Sequence, residues 1–278
     1  MEEHTSPLRK YKREPKLYVD LPSKGEFYNP MDLDKTQELE VFSMTPADEM
    51  AVKTPDALFT GNATVKVINR CIPSIKNPWN MPIIDVDFCL SAIRLASYGK
   101  DLQLSATCKH CEEVNEYALS LQNILDYFTR QNFINEVNYQ GFVFEIRPLT
   151  YREFTKVNKQ TFVFQRQIIQ HVPNITDEEK QKEELDKIYD AINETRMNAI
   201  IDCVIKITTP DGEVETDPKE IRNFLENSEA DYFNSITDTV VKNRQTWDIP
   251  KSTLTCASCE KQSEVETELD YSNFFELR

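Results

Sequence analysis

The chain is short of several things that common enzyme classes lean on. It has five glycines in 278 residues: Gly25, Gly61, Gly99, Gly141 and Gly212. None belongs to a Gly-x-Gly-x-x-Gly or Walker-type cluster, so phosphate-cradling nucleotide chemistry has no signature here. Three histidines leave little for imidazole-based catalysis. Positive charge is scarce as well: 32 Lys and Arg against 47 Asp and Glu give a net charge of −15. A surface of that sign repels nucleic acid and anionic lipid unless its cations gather in one patch. Long apolar runs are missing too. No stretch approaches the roughly 18 residues of a membrane span, and the opening MEEHTSPLRKYKREPK lacks the apolar core of a signal peptide. The expectation is a protein of the reducing cytosol, neither inserted in a membrane nor a general nucleic-acid binder.

Hydrophobic residues at 40% and aromatics at 10% suffice for packed cores. The seven cysteines are an odd number, which argues against a closed disulfide framework. Cys71, Cys89 and Cys203 lie in the apolar runs VKVINRCI, DVDFCLSAI and NAIIDCVIKI, where a free thiol acts as a small hydrophobe. The other four form two pairs, Cys108-x-x-Cys111 and Cys256-x-x-Cys259. A C-x-x-C turn aims two sulfurs at one centre, and two such turns complete the tetrahedron that zinc prefers. Strand-like LQLSAT precedes the first pair and STLT the second. Alternating Tyr117, Leu119 and Leu121 follow the first, and Val265, Thr267 and Leu269 the second. Both read as zinc-ribbon hairpins that together bind one structural zinc ion. A thioredoxin-like pair fits less well, since neither motif opens a helix in a βαβ pattern. An iron–sulfur centre and unmetallated thiols are the remaining readings. His110, between two ligands, reads as a spectator.

A shift of 148 residues (256 minus 108) superposes the two pairs, and similar features precede each in the same order. ELEVFSM leads to a threonine N-cap at Thr45 with Asp48 three places on. FVFEIRPL leads to Thr150 with Glu153 in the same position. The apolar segments VKVINRCI and AIIDCVIKI both read as helices, followed by helices starting near Asp85 and Glu229. The predicted fold is α+β and helix-dominated, with two pseudo-repeated halves sharing a split four-cysteine site. Residues 1–19 form a flexible tail, 20–139 the first half and 140–278 the second. The acidic stretch 174–196 is an insertion in the second half, a solvated helix or arm.

The segment LPSKGEFY (21–28) is a turn signal with aromatic anchors at Phe27 and Tyr28. This string resembles the opening of the T-even-type (T-four-like) bacteriophage base plate protein family, also described as baseplate hub subunits. The resemblance runs through Met44-Thr45-Pro46, Asp48-Glu49, TPDALFTG (54–61), INRCI (68–72), Asp87 and RLASYG (94–99) to Cys108 and Cys111. It covers about 100 residues, and LPSKG-x-FY and R-x-x-SYG are its most specific parts. It implies a non-enzymatic tail protein acting in baseplate hub structure or assembly, assembled in the host cytoplasm and residing in the virion tail baseplate. The implied partners are other tail and hub proteins, with the tape-measure protein a candidate. No catalytic residue comes with it.

Two alternatives stand beside this reading. One is a tail assembly chaperone for the tape-measure protein, absent from the finished virion. The other is a zinc-ribbon nucleic-acid-binding regulator, in which Lys109 and His110 approach phosphate. Glu112, Glu113, Glu116, Glu260, Glu264 and Glu266 around the knuckles disfavour the second. The cations Arg9, Lys10, Lys12, Arg13 and Lys16 read as a disordered tail or small docking segment. The carboxylate pairs Asp85/Asp87 and Glu38/Glu40 fall at a helix start and a strand face rather than in an evident catalytic pair. Trp79 and Trp247 read as packing anchors.

Overall fold

The computed structural model describes residues 11–53 and 60–265. Parts of the sequence reading fall outside them: Arg9 and Lys10, most of TPDALFTG, and Glu266, Thr267 and Leu269. Among the described residues there are eight α-helices and ten strands, an α+β fold dominated by helix. No described helix is long and apolar enough to cross a membrane.

Strand β1 (Pro15–Val19) pairs antiparallel with β2 (Leu39–Phe42). Residues 15–19 of the expected tail over 1–19 are therefore a strand, with Leu17 and Val19 alternating inward against the core. Arg13 is held as well. Its guanidinium donates to the carbonyls of Ser43 (2.6 Å) and Arg70 (2.7 Å) and lies over the Phe42 ring. These contacts give it a structural role.

Thr45 caps α1 (Pro46–Val52) in a reciprocal capping box with Asp48, and Pro46 occupies the first turn. Next come α2 (Asn62–Cys71) and α3 (Ile83–Tyr98). α2 starts at Gly61, whose φ of +78° and close approach to Trp79 (2.9 Å from an added Cβ) admit no side chain. α3 is buried nearly all round, from Ile84 to Arg94. A helix apolar on every side belongs at the centre of a core, and α3 is the axis of the first one. α2, β1, β2 and α4 (Leu121–Thr129) pack around it. Between α3 and α4 stands the hairpin of β3 (Asp101–Thr107) and β4 (Val114–Ser120).

The second core rests on a four-stranded antiparallel sheet of β5 (Glu136–Tyr139), β6 (Phe142–Ile146), β7 (Val204–Thr208) and β8 (Val214–Glu215). Its inner face carries Val137, Phe144, Ile146, Val204 and Ile207. α7 (Pro218–Asn227) and α8 (Ala230–Thr246) cover it with Ile221, Leu225 and Ile236. The reading of AIIDCVIKI as one helix is corrected here. The helix ends at Ile201 and β7 begins at Val204, because the β-branched residues alternate and pair with β6.

Between β6 and β7 a helical arm is inserted. It comprises α5 (Tyr151–Arg166), a π-helical continuation (Gln167–His171), a tight turn and α6 (Glu178–Ile201). The acidic stretch lies on α6 and its N-cap Asp177. The two cores are joined at several points. Tyr151 and Trp247 both belong to the first core, where Trp247 stacks on Phe128 (centroids 6.2 Å) and Trp79 on Tyr151 (5.7 Å). Both tryptophans are packing anchors, as their sequence setting suggests. A last hairpin, β9 (Ser252–Thr255) and β10 (Gln262–Val265), follows α8.

Candidate metal centre

Each C-x-x-C motif sits in the turn of a two-stranded hairpin, β3–β4 for the first and β9–β10 for the second. The turns are built alike. Cys108 N–H donates to the Glu113 carbonyl (2.8 Å) and Glu112 N–H to the Cys108 carbonyl (3.0 Å). In the second turn Cys256 N–H donates to Lys261 (3.0 Å) and Glu260 N–H to Cys256 (3.0 Å). Glu112 and Glu260, each directly after a second cysteine, take left-handed backbones with φ of 60° and 56°. Such a bend turns both sulfurs of a pair toward one side. Neither motif starts a helix, which removes the geometric basis of a thioredoxin-like reading.

The fold brings the two turns together. The four Sγ atoms of Cys108, Cys111, Cys256 and Cys259 lie within 4.8 Å of one another. Cys108 Sγ is 3.7 Å from Cys259 Sγ, and Cys111 Sγ is 3.5 Å from Cys256 Sγ. A tetrahedral ion with sulfur ligands at about 2.3 Å separates those sulfurs by about 3.8 Å. The four thiols thus fit one metal ion of that geometry. Cys108 and Cys256 are buried, Cys259 is half-buried and Cys111 is exposed.

The electrostatics favour thiolate at two of the four. Amides of His110 and Cys111 hold the Cys108 thiol below its ordinary value. Those of Cys259 and Ser258 bring Cys256 down to about 6. At Cys111 the Glu113 amide also favours thiolate, but its hydrogen bonds to Cys256 and Cys259 prevail and push it up to about 12. Clustered thiols resist joint ionisation without a cation among them. The His110 ring is exposed and outside the cluster; only its backbone N–H reaches Cys108 Sγ, at 3.4 Å.

One residue of this site escaped the sequence reading. Asn115, on β4, spans the two knuckles: its Nδ2 donates to Cys256 Sγ (3.5 Å) and its Oδ1 accepts from Ala257 N–H (2.9 Å). The residue 148 positions later is Ser263, so internal matching gives no signal for it.

The other singled-out polar residues do not converge on a site. Asp85 is sealed in the first core, where it accepts from Ser23 N–H (3.0 Å) and from the Ser23 hydroxyl. Burial pushes its carboxyl up to about 6. This contact gives LPSKGEFY a structural role, pinning the loop after β1 onto α3. RLASYG acts similarly at the other end of α3. Ser97 Oγ accepts from Met44 N–H (2.9 Å) and Tyr98 donates to Glu49 (3.0 Å), tying α3 to α1. Asp87 is half-buried on α3, Glu38 is exposed and Glu40 half-buried on β2.

The family model described as T4 bacteriophage base plate protein matches residues 18–276. No curated protein and no solved structure matches the chain.

Proposed function

The chain belongs to the T4 bacteriophage base plate protein family, and from that membership we propose a non-enzymatic protein of the baseplate hub or of its assembly. It acts by binding other tail components, is assembled in the host cytoplasm and stays in the virion tail. The observation carrying the mechanical part is the four-sulfur cluster, which draws residues 108–111 and 256–259 together. We assign it one structural zinc ion held by Cys108, Cys111, Cys256 and Cys259. Four sulfurs fill a tetrahedral sphere and leave no position for water or substrate. When bound, the ion supplies coordination energy that becomes folding energy. The chain's own part is to present the thiolates: knuckle amides lower Cys108 and Cys256, and Asn115 fixes one knuckle against the other.

Division into two related halves belongs to the same reading. The like-built knuckles and the two capped helix starts, Thr45 with Asp48 and Thr150 with Glu153, support it. The insertion of the arm and of β7–β8 departs from the simple repeat. Acidic character around the knuckles favours basic partner segments and disfavours nucleic acid. The deciding experiment is mass spectrometry of purified virions, paired with affinity capture from infected cells. Recovery in virions together with hub proteins is expected. Capture of the tape-measure protein combined with absence from virions selects the chaperone instead.

A further inference from the structure

The helical arm buries little of itself. Along the 16 residues of α5 only Tyr151 and Thr155, both near its base, are buried. Along the 24 residues of α6 only Ile188 and Ile201 are. A helical hairpin ordinarily stands by burying an apolar stripe. Here Val163 is 51% exposed, Ile169 72% and Tyr189 52%. Val163 precedes the turn by about as many residues as Tyr189 follows the start of α6, roughly ten. At 1.5 Å per residue both lie about 15 Å below the tip.

Charge on the arm is divided by helix. Residues 151–176 carry four cations and one anion, net +3, whereas residues 177–201 carry four cations and eight anions, net −4. Yet among the described residues no ion pair joins α5 to α6. The pairs Lys180–Asp177 and Lys187–Glu184 stay at α6, and Arg166 turns to Gln170 on its own helix. Two of the α5 cations are engaged near its base, Arg152 over the Trp79 ring and Lys159 on the Thr60 carbonyl, so it is Lys156 and Arg166 that offer positive charge to another molecule.

We propose that the arm is a self-association surface. Two copies pack their hairpins about a two-fold axis as a four-helix bundle, α5 of each against α6 of the other. The charge pattern selects a second copy: a two-fold operation places basic beside acidic twice, in an isologous contact. A uniformly basic helix would gain α6 but meet repulsion from α5. Size agrees. The arm is about 30 Å long and two helices of about 10 Å wide, a flat face of about 600 Å². Interdigitating side chains bring that close to the roughly 800 Å² per partner of an ordinary specific interface.

Sedimentation of the full zinc-loaded chain tests this. A concentration-dependent dimer is expected by about 100 μM, ample for a micromolar interface. Val163→Glu with Ile169→Glu, both at exposed positions, shifts the species to monomer with unchanged circular dichroism. A charge-exchange pair guards against trivial loss. Lys156→Glu with Arg166→Glu in one chain, and Glu179→Lys with Glu183→Lys in another, each weaken self-association at least tenfold, and their equimolar mixture recovers a 1:1 dimer. A wild-type chain monomeric throughout overturns the proposal. So does a dimer indifferent to all four charge changes and to both apolar ones.

Discussion

At Cys256 the neighbouring amides favour thiolate before any cation arrives, and thiolate is the form that binds zinc. Wild type is expected to keep equimolar zinc through dialysis, and Cys256→Ser and Cys108→Ser each to lose it, as read by metal analysis. His110→Ala should retain it in full. A second prediction concerns Asp85, whose folded carboxyl is pushed from 3.8 up to about 6 by burial. A carboxylate raised on folding binds more protons when native, so its contribution is complete below pH 4 and is lost as pH rises toward 6 and beyond. The shift amounts to about 3 kcal/mol. Denaturant titrations should show Asp85→Asn flattening this acidic-side slope and gaining stability over wild type at pH 8. Opposite behaviour belongs to Glu153. Burial pushes it up, but hydrogen bonds from Arg147 (2.7 and 2.8 Å) and the Thr150 amide outweigh that and hold it below 4.5. Its contribution is present above that value and fades as pH falls through its folded pKa. That the four cysteines meet was legible from spacing alone, since the paired interval is the one ligand chemistry would need. Ser23 with Asp85, 62 residues apart, and Asn115 with Cys256, 141 apart, were not. Nothing in either residue's neighbourhood encodes its distant partner.

At the level of elements, both capped helix starts were legible because a capping box is contained within four residues. The end of α6 was not. Ala199 to Ile207 is apolar enough for helix or strand, and pairing of β7 with β6 decides the matter. β5, β8 and α7 went unread for a related reason: their short patterns gain meaning only once the sheet exists. α8 offers a sharp test of how elements are tied. Its buried Asn243 accepts from Ile134 N–H (2.9 Å) and donates to Ile134 C=O (2.8 Å), clamping the segment between α4 and β5. Asn243→Leu strips both bonds from that backbone and should cost about 2–3 kcal/mol. Chemical denaturation gives the number; a loss under 0.5 kcal/mol would show that the clamp is incidental.

For the whole molecule, the knuckles and Trp247 are two of several ties between early and late chain, beside the Asn243–Ile134 clamp and the Tyr127 hydroxyl on the Thr246 carbonyl. Trp247 reaches Phe128 from beyond the second core, while the sulfurs meet at the ends of two hairpins. Removing zinc with a strong chelator should lower the melting midpoint by roughly 10 °C, at about 2–4 °C for each kcal/mol lost. Calorimetry should still show one transition, since the contacts of Trp247, Asn243 and Tyr151 survive. A wild-type fold indifferent to chelation, with freely reactive thiols, would falsify the metal tie between the knuckles.

The same separation has a consequence in time. Cys111 and Cys256 are 145 residues apart. At a synthesis rate of about 5–20 residues per second, the first knuckle waits roughly 7–30 seconds for the second. During that interval it is a two-thiol half-site able to take up copper, to bridge to another nascent chain or to oxidise. Nascent chains arrested before residue 256 and treated with the thiol oxidant diamide should therefore crosslink through Cys108 or Cys111, whereas the finished, metal-closed protein should be inert to the same oxidant.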